Sequence, residues 1–137
     1  MRKLLIPLLL ASTAVIADPV ADLSCMALNV YHEARNQGDE GMLMVMSVTK
    51  NRVASDAYPD SICDVVYQPY QFSWVYENPS LAMAKFDEIF DFVVRHIDDA
   101  DIADGSLWYH NHHIVHPAWA DKLQVVAVVN DHTFYKK

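Results

Sequence analysis

One acid in this chain is placed where acids are costly. In VYHEARNQGDEG (30–41), Glu33 follows Val30 by three residues and Met26 by seven, so it borders the buried stripe of a helix. Asn36-Gln37-Gly38 ends that helix, which puts Glu33 in its last turn, where the helix dipole is negative. Desolvation and the dipole both favour the protonated form. A carboxylic acid that stays neutral near pH 7 can donate a proton to a leaving group, as glycosidic cleavage requires. The competing reading is structural, with Glu33 paired to Arg35 or Arg52 at the surface. Periodicity leaves both open.

Two further clusters carry chemistry. WYHNHHIVHPAW (108–119) holds His110, His112, His113 and His116, and an HxH pair on a strand can turn two imidazoles to one face, as zinc requires. No HExxH or comparable spacing accompanies them, so no metal is expected; a polar rim of a sugar cleft is the preferred reading. YQPYQFSWVYENP (67–79) is too aromatic for an ordinary solvated loop. Tyr67, Tyr70, Phe72, Trp74 and Tyr76, with Tyr109 and Trp119, alternate with Gln68, Gln71, Ser73 and Asn111. Such interleaving suits a carbohydrate, whose CH faces stack while its hydroxyls and amides take hydrogen bonds; an aromatic core accounts for part of it. No GxSxG is present, and Cys25 and Cys63 have the look of structural residues.

The elements that must hold these residues are legible from periodicity. Leu23, Met26, Ala27, Val30, Tyr31 and Ala34 predict a first helix, with Asp22 or Ser24 available as its cap. Gly38 can take a positive φ, and Asp39 offers the cap of a second helix over about 40–54, lined by Met42, Leu43, Val45, Met46, Thr49 and Val53. Its methionines read as core filler. Asn78-Pro79 predicts the start of a third helix carrying Leu81, Phe86, Ile89, Phe90, Val93 and Ile97. DDADIADG (98–105) lacks calcium-loop spacing and reads as a solvated turn. A short strand over 106–110, a short helix from Pro117, and a hairpin of 124–129 and 132–136 about Asn130-Asp131 complete an α+β domain, mainly helical with a small late sheet.

Composition narrows the partners. Arg2 and Lys3, the apolar LLIPLLLASTAVIA and the small residues Val15 and Ala17 predict an export signal over 1–17, cut before Asp18. The apolar run is short for a bilayer span and Pro7 interrupts it, so no stable membrane insertion is expected after cleavage. Residues 18–137 then form a single domain, periplasmic or secreted, with no linker or repeat, and a monomer is expected. The formal charge of −8 becomes more negative once Arg2 and Lys3 are gone, which argues against nucleic acid and anionic membrane as partners. In an exported chain two cysteines suggest one disulfide, Cys25–Cys63, the alternative being two buried thiols.

ALNVYHEARNQGDEG (27–41), NRV (51–53), YPDSICDVVYQPYQFSW (58–74), LWYHN (107–111), PAWA (117–120) and HTFY (132–135) together resemble the SleB-type cell-wall hydrolases, the group that includes spore-cortex-lytic enzymes. They follow the family's order and spread over the whole of 18–137. The resemblance implies a lysozyme-like α+β fold and a lytic transglycosylase that cleaves the MurNAc–GlcNAc bond of peptidoglycan glycan strands, without cofactor. It also implies one catalytic glutamate, the first acid of a motif usually written EARGE, which falls on Glu33. In this chain the motif reads EARNQ, so Gln37 replaces the second acid. Substrate contacts are expected at Gln71, Phe72, Trp74, Tyr109 and His110, where resemblance and aromatic–polar interleaving agree. If water rather than a sugar hydroxyl completes the reaction, Glu40 or Asp64 would have to face the cleft. Two rival functions remain at this level: a zinc-dependent N-acetylmuramoyl-L-alanine amidase using the histidines of 110–116, and a non-catalytic wall-binding module.

Overall fold

The computed structural model describes residues 18–137, and the export signal expected at 1–17 lies outside the described residues. Helix α1 (Pro19–Ala34) starts on Asp18, whose carboxylate accepts from the Val20 N–H at 3.0 Å, with Pro19 in the first turn where its missing N–H costs nothing. Its inner face buries Met26, Ala27, Val30, Tyr31 and Ala34. Gly38, at φ +67°, allows the chain to turn directly into α2 (Gly38–Val53).

Helix α2 is buried on two sides. Met42, Val45 and Met46 pack with α1 and α5 (Met83–His96), while Met44 and Val48 pack the opposite way on Ala103, Val129 and Phe134. The methionine stripe therefore serves two cores at once, and each buried side chain of this size contributes about 1.5–3 kcal/mol. Two short helices, α3 (Ile62–Val66) and α4 (Trp74–Glu77), lie between α2 and α5.

The sheet comes late and is antiparallel, in the order β1 (Trp108–Asn111), β3 (His132–Lys136), β2 (Gln124–Val129). Asn130, at φ +48°, turns the β2–β3 hairpin, and an irregularity between Val125 and Ala127 shifts the register of β2. The architecture is the expected α+β, mainly helical with a small sheet. Cys25 and Cys63 are joined in a disulfide that ties α1 to α3, with Cα atoms 5.2 Å apart.

Several starts differ from the local signals. Helix α5 begins at Met83 rather than at Asn78-Pro79: Asn78, at φ +44°, instead ends α4, and the Ala82 N–H donates to the Tyr31 hydroxyl at 2.9 Å. Asp22 does not cap α1 but accepts from the Cys63 N–H at 2.9 Å, holding the start of α3. Helix α2 begins before Asp39, and its cap residue Gln37 has its side chain engaged elsewhere. From Pro117 the chain makes only a turn and then one 3-10 turn, Ala120–Lys122.

Candidate active site

Helix α2 positions the strand that meets Glu33. Asn51 Nδ2 donates to the Ser106 carbonyl at 3.2 Å and Arg52 Nε to that of Leu107 at 2.8 Å, while Ser106 Oγ donates to the Tyr135 carbonyl at 2.7 Å. The Arg52 guanidinium is buried over the rings of Tyr58 and Phe72, 5.3 and 5.5 Å from their centroids. Fixed in this way, β1 directs the Tyr109 hydroxyl to Glu33, donating to Oε2 at 3.1 Å. Tyr109 in turn packs on Phe134 and meets the edge of His132, both with ring centroids 5.3 Å away.

Glu33 opens into a cleft of about 660 Å³. It is lined by the segment Tyr70–Ser73 with Tyr76 and by Tyr109–Asn111 with Ile114, Val115 and His132. Glu33 and His32 complete the lining, and among the described residues Glu33 is its only carboxylate. Glu40 and Asp64 are exposed on α2 and α3 and do not line it.

Burial raises the Glu33 pKa above its ordinary value, opposed by the Tyr109 hydrogen bond and by the Arg52 charge. Tyr109 is driven well above the ordinary tyrosine range by burial and by the neighbouring Glu33 charge, so it stays a donor. The lining histidines move the other way. Burial lowers His32, with Arg35 adding to the effect, and lowers His110, with His116 and His112 adding to it. His132 is also lowered by burial, against the pull of Asp131. An acid whose proton affinity is raised thus sits among imidazoles that favour their neutral form.

Of the residues expected from the sequence, Gln71, Phe72, Tyr109 and His110 line the cleft together with Glu33. Trp74 does not. It is 8 % exposed, its Nε1 donates to Asn29 Oδ1 at 3.2 Å, and its face carries the His32 ring at 4.6 Å, so it supports the floor from behind. His32 and His132 also line the site; adjacency to Glu33 in YHEAR and the stretch HTFY were their only signals. Ile114 and Val115 had none, being two apolar residues in a histidine-rich loop.

The histidines of 110–116 fall into two pairs, His110 with His116 and His112 with His113, their ring centroids 6.0 and 4.2 Å apart. His112 bonds Thr133 Oγ1 (3.1 Å), His113 faces Asp131 (3.4 Å), His116 faces Asp121 (2.8 Å), and buried His110 stacks on Tyr135. Among the described residues no three His, Cys, Asp or Glu side chains gather in a metal-holding group. Gln37, at the second acid of the motif, does not line the cleft but holds the β2–β3 turn. Its Nε2 donates to Asp131 Oδ2 at 2.8 Å, its Oε1 accepts from the Asp131 N–H at 3.0 Å, and its carbonyl accepts from Asn130 Nδ2. A side chain at position 41 would collide with Gln37, so Gly41 makes this approach feasible.

A family model described as Cell Wall Hydrolase matches residues 36–135, from the end of α1 to β3. The chain belongs to that family. The matched stretch starts three residues beyond Glu33, whose assignment rests on the geometry above. Among curated proteins, the chain is 28 % identical over 115 residues to a spore cortex-lytic enzyme of Oceanobacillus iheyensis, covering 84 % of this chain and 41 % of that one. It is 26 % identical over 113 residues to the spore cortex-lytic enzyme of Bacillus subtilis, covering 82 % and 37 %. The chain therefore spans about two fifths of the length of these relatives. Solved structures match more completely. The catalytic domain of the germination-specific lytic transglycosylase SleB from Bacillus anthracis superposes with a TM-score of 0.72 at 25 % identity, covering 84 % of this chain and 93 % of that one. The catalytic domain of Bacillus cereus SleB gives 0.71 at 25 %, covering 84 % and 89 %. What this member of the family shares with SleB is thus the catalytic-domain fold.

Proposed function

We propose that this cell wall hydrolase cleaves the MurNAc–GlcNAc bond of peptidoglycan as a lytic transglycosylase, with Glu33 as its single acid and base. The observation that carries the reading is the solitary raised carboxyl of Glu33 at the floor of an aromatic-walled cleft. Oε2 accepts from Tyr109, which leaves Oε1 free to carry the donated proton. Glu33 protonates the glycosidic oxygen as the bond to MurNAc C1 breaks, and GlcNAc leaves as an alcohol. The MurNAc 6-hydroxyl oxygen then bonds to C1, and its proton returns to Glu33, closing a 1,6-anhydro ring. Water is not consumed, so the second carboxylate of the usual two-acid pattern has no task here. Gln37 at the motif's second acid fits that economy, since its side chain is committed to Asp131.

Gln71, Phe72, Tyr109 and His110 are proposed substrate contacts, and Trp74 acts through His32. We place the protein in the cell envelope, with residues 18–137 as the catalytic domain released by cleavage after Ala17 and acting as a monomer. The Cys25–Cys63 disulfide supports an oxidising compartment, and among the described residues no helix is long and apolar enough to cross a membrane. N-terminal sequencing of the mature protein checks the cleavage site. The decisive experiment is mass spectrometry of digested peptidoglycan. Anhydro-MurNAc ends are the expected product, and reducing ends alone exclude the transglycosylase route.

A further inference from the structure

Tyr70 is held in a conformation that packing does not explain. It is 92 % exposed and has φ +64°, a left-handed backbone that disfavours a bulky side chain. The turn Gln68-Pro69-Tyr70-Gln71 is closed by the Gln71 N–H on the Gln68 carbonyl at 3.3 Å. Proline at the second position and positive φ at the third are the signature of a type II turn, whose third residue is normally glycine. A tyrosine there costs backbone energy and gains no core contact in return. Such conformations cluster where a side chain is needed for binding.

The second ring shows what the conformation achieves. The Tyr76 hydroxyl accepts the Tyr70 N–H at 3.2 Å, and the two rings stack with centroids 6.2 Å apart at 30°. Tyr76 is also exposed, and both rings line the cleft. Ile114 and Val115, 80 % and 50 % exposed, line the same cleft. Among the described residues no Lys or Arg lines this space, so they offer a phosphate or carboxylate no cation there. What fits is a flat neutral ligand with apolar faces and polar edges. A pyranose ring meets that description, with Gln71 and Ser73 beside the platform for its hydroxyl and acetamido groups.

We propose that Tyr70 and Tyr76 form an aromatic platform that stacks on a sugar ring of the glycan strand away from the scissile bond, with Ile114 and Val115 adding apolar surface to the same cleft. This rests on the glycan-cleaving reading above and adds to it the residues that grip the strand. The test measures binding in a Glu33→Gln background, so that cleavage does not interfere, with peptide-free glycan strands and free stem peptide as probes. Tyr70→Gly is expected to raise Kd for the strands about tenfold, as loss of one aromatic stacking partner predicts. Its Tm is expected to equal or exceed that of the parent, because glycine suits the left-handed turn. Tyr70→Phe, which keeps the ring, restores strand binding to within about twofold. With Glu33 intact, the loss in Tyr70→Gly falls on KM rather than kcat.

An unchanged Kd in Tyr70→Gly overturns the platform. So does a loss of binding that comes with a Tm several degrees lower, since that marks a structural role, and so does competition by stem peptide but not by strands. Release of fragments by the wild-type protein is scored separately. If no fragments appear while binding still depends on Tyr70, the platform stands and the cleavage reading fails.

Discussion

Glu33 and Tyr109 meet at the floor of the cleft with Arg52 behind them, each held by a long helix or a strand and each largely enclosed by protein. Tyr70, Tyr76, Ile114 and Val115 stand at the rim on turns or on one short helix, and all four are exposed. The two regions answer different physical demands. Proton transfer needs an acid whose pKa is set by a dry and fixed environment, which only regular elements packed on both sides supply. Gripping a strand needs apolar faces that substrate can reach, and these cannot also be core. A single cleft can therefore change what it grips without touching how it reacts.

The largest predicted effect breaks the floor alone. Glu33→Gln should lower the rate of fragment release by about 10²- to 10⁴-fold, the usual weight of a general acid or base, while Tm is unchanged or raised. The folded pKa of Glu33 is raised. Its stabilising contribution is therefore complete below the unfolded pKa and is lost as pH rises through the folded one. Glutamine escapes that loss, so its Tm advantage should grow from acid to neutral pH in calorimetric scans. A near-normal rate in this variant sinks the assignment.

Removing the link between floor and rim comes next. The Cys25–Cys63 bond closes a sequence separation of 38 residues, and replacing both cysteines by serine should cost about 3–4 kcal/mol in urea unfolding. Limited proteolysis should find the new cuts in 67–77 before α2, because α2 is buried on two sides and the rim is not. Cuts appearing first in α2 would remove the distinction drawn here.

A smaller effect is expected at the β2–β3 turn. Gln37→Glu sets a second carboxylate against Asp131, whose pKa the Gln37 hydrogen bond lowers. Tm at pH 7 should fall by about 2–4 °C, and the deficit should shrink as pH drops into the carboxylate range and the repulsion is protonated away. A deficit that is the same at both pH values would deny the charge argument. Least of all, Tyr109→Phe removes a hydrogen bond that holds the Glu33 pKa down. The limb of kcat/KM on which activity falls with rising pH should move upward. A downward move contradicts the donor role.

Much of this was legible from local pattern. Met26, Val30 and Ala34 marked α1, Gly38 marked its end, and Asn130-Asp131 marked the hairpin, because periodicity and turn chemistry act within a few residues. The third helix was set too early for the opposite reason. Asn78-Pro79 is a sound local start, yet the Tyr31 hydroxyl, 51 residues away in sequence, takes the Ala82 N–H and helps set the boundary. Trp74 shows the same limit at the site: its aromatic–polar neighbourhood matched a sugar contact, and Asn29 drew it inward instead.

The sequence by itself determined the family, the two long helices, the hairpin and the prominence of Glu33, since each is written in neighbouring residue types. Tertiary structure decided what Glu33 can do. Burial by distant segments, the Tyr109 hydroxyl on β1 and the Arg52 charge on α2 together set its proton affinity. None of those terms is local, because desolvation and Coulomb interactions depend on distance through space and not along the chain.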